Sequence, residues 1–534
     1  MTTSRALFST ILLALAGCAN QTSPEGGPKD LRPPRLLRSD PAHNQTNFKG
    51  QTIELTFNEL IKLKDPQEEI VIVPSVGKGT QFKVKGTKLL ITPKTKWADS
   101  TTYSINFREG VQDVTESNIA QNLQLAFSTG PDIDTLKVSG MVKDVFKEEP
   151  PEKITVALYS ADTFNIFNHE AIYFTRSLKN GSFILSNLKA GTYTLYAFDD
   201  KNKNRKVDSR NEKYGFLPER LVLNHDNIDS LELYLYLVDS RPLRLASTRA
   251  LAEVNTIRFN KPIESYTLAG KQKSVHFLAN DPSEITAYYL GKPDSLSYHL
   301  TATDTLGQKV DTTIYLKRDK RKKIQEKFTI NIGDPVFVKE EKQLTVTINF
   351  SKPIIRFNPD SIVIRPDTAT SYPLPEKALQ YDSAKRLAKI KWILADSLPA
   401  KTKIFFRPTA FVSIDNDTSK ADSKPIEELN LENTGLLTFD IQTKEPAFIC
   451  ELLNSNGTVA ATFANQRKYT FKYLPPETYR LRVIIDTNKN GKWDCANILT
   501  NTPAERVIYY KGTNKKGDIT MRANWEQGPL LFVF

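Results

Sequence analysis

Two stretches carry acidic and amide side chains at alternate positions. Asp486, Asn488, Asn490 and Asp494, with Gly491 at the sixth place, have the spacing of a calcium loop. A hard cation takes roughly six to eight oxygens, and alternate side chains of a tight loop turn inward to supply them. Gly491 permits the sharp turn. Lys492 would offer its backbone carbonyl. Asn497 stands at the twelfth place, where such loops usually carry a bidentate Glu, and Glu505 is a replacement ligand. Upstream, Asp200, Asn202, Asn204 and Asp208 repeat the spacing, with Arg205 in the place of the glycine. Glu219 keeps the distance from this loop that Glu505 keeps from the other. A bound calcium would be structural, stiffening the loop. The alternative is a turn whose Asp and Asn side chains bond their own backbone.

Other chemistry finds little support. The five His residues (His43, His169, His225, His276 and His299) form no metal-ligand pair and flank no nucleophile motif. Nucleophile-elbow, zinc-protease, phosphate-loop and dinucleotide patterns are missing. Paired carboxylates such as Glu340 and Glu341 fall in polar connectors. The chain therefore reads as non-enzymatic, with no small-molecule substrate identified. A β-sandwich hydrolase with two distant carboxylates is the remote alternative. Of three cysteines, Cys450 and Cys495 fall near the C-terminus, where they either pair or stay as thiols. The net charge of +12 is spread along the chain, which argues against nucleic acid. The densest basic run, Lys317 to Lys323, lies between expected domains and reads as a solvated linker.

The elements that must hold these loops are strands. Alternation is clear at Ile53, Leu55 and Phe57, at Ile154, Val156 and Leu158, at Leu344, Val346 and Ile348, and at Ile390, Trp392 and Leu394. Asn, Asp, Gly, Pro and Ser clusters separate the runs, and no stretch carries a sustained helical stripe. The fold class is all-β, as tandem β-sandwiches.

Two repeats set the order of domains. Ile53-Glu54-Leu55-Thr56-Phe57-Asn58-Glu59-Leu60-Ile61 matches Thr256-Ile257-Arg258-Phe259-Asn260-Lys261-Pro262-Ile263 and Val346-Thr347-Ile348-Asn349-Phe350-Ser351-Lys352-Pro353-Ile354. Each is a strand with Phe inward, a polar bend and an apolar restart. With Pro33-Pro34, Trp97 to Tyr103 and Phe127-Ser128-Thr129-Gly130, the first copy resembles the bacterial Ig-like domains of S-layer proteins. The second repeat aligns at an offset of 286 residues: Leu188, Tyr193 and Leu195 on Leu474, Tyr479 and Leu481, and the first acidic loop on the second. With the hairpin signal Asn180-Gly181-Ser182-Phe183, it resembles a transthyretin-like, carboxypeptidase-regulatory-type Greek key. The expected layout is a signal peptide over 1–17, a tether over 18–32, Ig-like domains over 33–130, 241–325 and 326–443, and transthyretin-like domains over 131–240 and 444–534.

The N-terminus implies export. Arg5 precedes an apolar run that ends in Leu15-Ala16-Gly17-Cys18, which resembles a bacterial lipobox. Cys18 would then carry lipid and hold the chain on a membrane. The whole order resembles Ig-like lipoproteins of Bacteroidetes-type bacteria. That resemblance implies a cell-envelope, outer-membrane lipoprotein acting as spacer, scaffold or adhesion protein toward an envelope protein or glycan. The alternative is a carbohydrate-binding lipoprotein using exposed aromatics among Tyr288, Tyr289, Tyr509, Tyr510 and Trp525. A dispersed Asp-Ser/Thr-apolar pattern, as at Asp134-Thr135-Leu136 and Asp360-Ser361-Ile362, resembles the O-glycosylation sequon of the same bacteria. It is also how a turn hands over to a strand.

Overall fold

The computed structural model describes residues 29–77, 79–160, 165–272, 274–290, 294–319, 327–367, 370–394, 398–399, 401–512 and 517–534. The signal peptide and Cys18 lie outside these residues. Strands run from Leu36–Asp40 to Glu526–Val533, and the helices described are one short turn, Pro66–Glu69, and three 3-10 turns. No described helix is long and apolar enough to cross a membrane. The chain is all-β, a series of β-sandwiches.

It divides into two compact units. The first holds the described residues through Val142, with Glu152–Tyr196 and Glu219–Glu232. The second holds Lys143–Pro151, Ala197–Pro218 and Leu233–Phe534.

In the first unit, Leu36–Asp40, Ile53–Phe57, Lys88–Thr92 and Gln81–Lys85 form one sheet in that order, and Val71–Val73, Thr102–Asn106 and Gln124–Ser128 form another. Alternation works as expected: Ile53, Leu55 and Phe57 point into the core while Glu54 and Thr56 stay half-buried. Trp97 anchors the bend before Thr102. Its ring meets Tyr103 edge-on at 4.7 Å, its Nε1 donates to the carbonyl of Gln51 at 3.1 Å, and the Ala98 N–H donates to the Tyr103 hydroxyl at 2.9 Å. The same unit holds most of a further β-sandwich, where Leu136–Asp144 pairs with Ser182–Leu188. A Cβ on Gly140 would lie 2.2 Å from the Leu231 carbonyl oxygen, so only glycine allows that close approach.

Among the described residues of the second unit are three sandwich cores. Phe259, Ile257, Leu300 and Leu316 belong to one, Val346, Phe350, Ile390 and Trp392 to the next, and Phe439, Phe471, Tyr479 and Leu481 to the last. Phe277, Tyr288 and Ile414 join the first two through a separate apolar cluster.

The last sandwich begins at the strand Gly435–Gln442, ahead of residue 444. The polar run before it masked a strand whose Leu437, Phe439 and Ile441 all face the core. Its pairing with Lys468–Leu474 carries a bulge between Gly435 and Leu437. The pairing in the first copy carries one at the matching place, between Leu136 and Val138. Tyr193 and Tyr479 also match: each hydroxyl donates to a backbone carbonyl four residues upstream, Lys189 at 2.9 Å and Pro475 at 3.0 Å.

Candidate functional site

Both acidic loops lie in the second unit, each following a core strand. In the C-terminal loop Asp486 is buried. Its Oδ1 accepts the N–H of Asn490 and its Oδ2 that of Gly491, both at 2.9 Å. Asn488 Oδ1 accepts the Asn490 N–H at 3.1 Å, and Asn490 Oδ1 accepts the Lys492 N–H at 3.0 Å. The amide nitrogens of Asn488 and Asn490 both donate to Asp494 Oδ2 at 2.6 Å. The loop thus folds as a chain of Asx turns, in which short polar side chains replace backbone partners. Buried Glu505 braces it: Oε1 accepts the Thr487 N–H at 2.6 Å and Oε2 the Asp494 N–H at 3.0 Å.

The first loop has the same geometry. Asp200 accepts the N–H groups of Asn204 and Arg205, each at 3.0 Å. Asn202 Oδ1 accepts the Asn204 N–H at 3.0 Å, and Asn204 Oδ1 the Lys206 N–H at 2.7 Å. The brace, however, is Glu212. It accepts the Lys201 N–H at 3.0 Å and the Asp208 N–H at 2.7 Å, the roles of Glu505. Glu219, the expected counterpart, is exposed. Glu212 escaped notice because it sits at a different place relative to its loop. Burial pushes its carboxyl above the ordinary value, against the pull of these N–H donors. Backbone conformation repeats too: Lys203 and Lys489 are left-handed, as are Arg205 at φ 59° and Gly491 at φ 79°.

Asp486, Asn488, Asn490 and Asp494 therefore converge, whereas Asn497 does not join them. Its Nδ2 donates to the Leu306 carbonyl at 3.0 Å, in the neighbouring sandwich. Lys492 pairs with Glu264 of that sandwich, and Asn501 Nδ2 donates to the Pro218 carbonyl at 2.6 Å. Trp493 meets Phe146 edge-on at 4.7 Å, and the Tyr509 hydroxyl donates to the Phe146 carbonyl at 2.9 Å. Among the described residues, no group of three or more His, Cys, Asp or Glu is arranged to hold a metal.

The remaining candidates sort by environment. Cys450 is buried, Cys495 half-buried, and both are free thiols. Tyr288 and Tyr289 are core residues, and Tyr510 packs on Phe439 and Phe532. Tyr509 is half-buried, and Trp525 is 45% exposed beneath the Arg522 guanidinium. Among the Asp-Ser/Thr pairs, Ser100, Thr135, Ser230, Ser295, Thr305 and Ser383 are exposed, whereas Ser361 is buried. The pairs Asp367-Thr368 and Asp396-Ser397 extend outside the described residues. Several of the aspartates cap their own turns: Asp382 accepts the N–H groups of Arg386 and Leu387.

One motif held more than its pattern showed. In the Asn260-Lys261-Pro262-Ile263 and Ser351-Lys352-Pro353-Ile354 bends, both lysines are buried. Lys352 Nζ lies 2.8 Å from Asp415 and 2.9 Å from Asp417. In the first Ig-like copy the place is Glu59, and Asp113, opposite Ile61 as Ser413 is opposite Ile354, is satisfied by backbone N–H groups of Glu116, Ser117 and Asn118.

These features define a tandem β-sandwich protein with two self-capped acidic loops, the C-terminal one at a joint with its neighbour. Residues 30–129 match the family described as the bacterial Ig-like domain. No curated protein sequence matches the chain. Among solved structures, dimeric latent PorU from Porphyromonas gingivalis is 8% identical over 53% of this chain, with a TM-score of 0.23, and the match spans only 35% of PorU. The major pilin subunit BcpA of Bacillus cereus is 9% identical over 75% of this chain and 98% of its own, with a TM-score of 0.13. The mixed-linkage glucan locus protein SGBP-B of Bacteroides ovatus, solved with a heptasaccharide, is 11% identical over 64% of this chain and 89% of its own, with a TM-score of 0.14.

Proposed function

We propose that this chain is a non-catalytic lipoprotein of the cell envelope, held on the outer membrane through Cys18, whose sandwiches form a braced scaffold for an envelope protein or glycan. The supporting observation is the use made of its polar side chains. Asp486 and Glu505, like Asp200 and Glu212, cap backbone N–H groups, Asp494 holds the amides of Asn488 and Asn490, and Asn497, Asn501 and Lys492 fasten the C-terminal sandwich to its neighbours. Groups committed to capping and docking serve rigidity rather than turnover. The test is metabolic labelling with an alkyne fatty acid. Label should enter the wild-type chain, vanish in Cys18→Ser and leave the variant unanchored. A soluble, unlabelled wild-type chain would overturn the anchor. Protease shaving of intact cells then reports the membrane face.

Calcium belongs to the same reading. Asp486, Asn488, Asn490, Asp494 and the Lys492 carbonyl offer oxygens to a hard cation that would stiffen the joint. Two carboxylates are few for such a loop, which places the affinity at the weak end, on the order of 10⁻⁴–10⁻³ M, where extracellular modules bind. O-glycosylation at the exposed hydroxyls of the Asp-Ser/Thr pairs would add bulk and solubility without altering the fold. Intact mass measurement checks it.

A further inference from the structure

The second unit contains a cleft of about 560 Å³ that neither the acidic loops nor the anchor uses. One wall is the segment from Phe146 to Glu149. The floor is the outward face of the strand Thr478–Ile485. Along that strand Tyr479, Leu481 and Val483 face the core, and strict alternation sends Thr478, Arg480 and Arg482 outward. On an ordinary surface such a row would be solvated. Here the opposite wall shelters Arg482, at 16% exposure, while Arg480 stays open at the cleft mouth.

The two arginines of the floor are already matched, and on the wall Lys147 stands beside Glu148 and Glu149. Arg480 Nε lies 2.7 Å from Asp518, and its Nη1 lies 3.7 Å from Glu148. Arg482 Nε lies 2.6 Å from Glu451, and its guanidinium sits 4.9 Å from the centre of the Phe146 ring. An anionic ligand would have to compete with these fixed carboxylates, and a cationic one would meet the two guanidinium groups. A neutral ligand escapes both penalties. Guanidinium–carboxylate pairs also hold donors and acceptors side by side in rigid, planar geometry. Vicinal hydroxyls, each a donor and an acceptor, complement such an array. Phe146, Leu453 and Tyr509 supply apolar surface at the same place. Aromatic and aliphatic walls with a few fixed polar groups are the usual make-up of small-ligand sites, whose volumes run to roughly 300–1,000 Å³. The C–H face of a sugar ring fits such a wall while its hydroxyls reach the floor.

We propose that this cleft binds a neutral oligosaccharide, with Arg480 and Arg482 as the polar grip and Phe146 and Tyr509 as the apolar wall. The two walls come from distant parts of the sequence, so a sugar that touches both also fastens the C-terminal sandwich to the 143–151 segment. This goes beyond the scaffold reading. An anchored scaffold that bound no sugar would pass the labelling test above and fail here.

The test uses the full chain in detergent on an array of neutral glucans, mannans, xylans and galactans, with sulfated and uronic-acid oligosaccharides alongside. Binding to at least one neutral glycan is expected, weakened tenfold or more by Arg480→Ala. Ser455→Trp is the second variant. Ser455 is an exposed residue at the cleft, so a bulky ring there should block binding while the melting temperature holds. Trp525→Ala, outside the cleft, should change nothing. Absence of neutral-glycan binding, binding confined to the anionic probes, or binding that persists in Ser455→Trp would each overturn the proposal.

Discussion

Lys261 Nζ lies 2.5 Å from Asp304 Oδ2, with the two side chains only 2% and 3% exposed. The ammonium also donates to the Asp239 carbonyl at 2.8 Å, and Asp304 Oδ1 accepts the N–H groups of Leu306 and Gln308. One buried pair therefore ties the Phe259-to-Ile263 bend to the loop after strand Ser295–Thr303, the loop on which Asn497 docks.

Removing one partner of a buried pair leaves the other charge stranded, at a cost of about 3–5 kcal/mol. Lys261→Met should destabilise by that amount in denaturant unfolding. Lys352→Met should cost less, about 1–2 kcal/mol, because its partners Asp415 and Asp417 are 29% and 47% exposed and water can take over. Equal losses would contradict this assignment of burial.

The two loops predict opposite effects for one exchange. Arg205 holds a left-handed conformation that Gly491 adopts freely in the other copy, and a side chain there costs roughly 1–2 kcal/mol. Arg205→Gly should therefore raise stability by up to about 1 kcal/mol after the entropy of the added glycine. Gly491→Arg should lower it by about the same amount. The space around a Cβ at Gly491 is open, so strain rather than clash is what the pair would measure by thermal melting.

Calcium should raise the melting temperature of the full chain, and chelator should reverse the rise. With a dissociation constant on the order of 10⁻⁴ M, 10 mM calcium would add about 2.7 kcal/mol. Asp494→Asn should abolish the shift. It keeps the brace, because Glu505 bonds the backbone N–H of residue 494 rather than its side chain. An unchanged melting temperature in the wild-type chain would count against calcium.

Thiol chemistry should separate the native chain from the unfolded one. Burial pushes the Cys450 thiol up to about 12 and also raises Cys495. At pH 8 only about one Cys450 in 10⁴ would be thiolate, the reactive form. In Cys18→Ser, both remaining cysteines should resist alkylation while folded. Both should react in denaturant without prior reduction, since neither is in a disulfide.

Much of this molecule was readable from local pattern. Ile53, Leu55 and Phe57, or Leu344, Val346 and Ile348, announce strands because side chains alternate across a sheet, a property of two residues at a time. Tyr193 and Tyr479, and the acidic loops behind them, announced a repeated domain, since the same turn needs the same residues wherever it recurs. What pattern left out depends on residues far away in the chain. Nothing near Lys261 says that it is buried; that follows from Asp304 and the Asp239 carbonyl arriving from elsewhere. Glu212 stood in for Glu219 because a brace is chosen by reach in space, not by a constant offset. Asn497 occupied a ligand position in the one-dimensional pattern, yet it faces Leu306, because docking against a neighbouring sandwich competes for the same amide. Periodicity and turn chemistry are short-range, and the sequence states them directly. Burial, charge pairing and the meeting of domains are decided only when the sandwiches close.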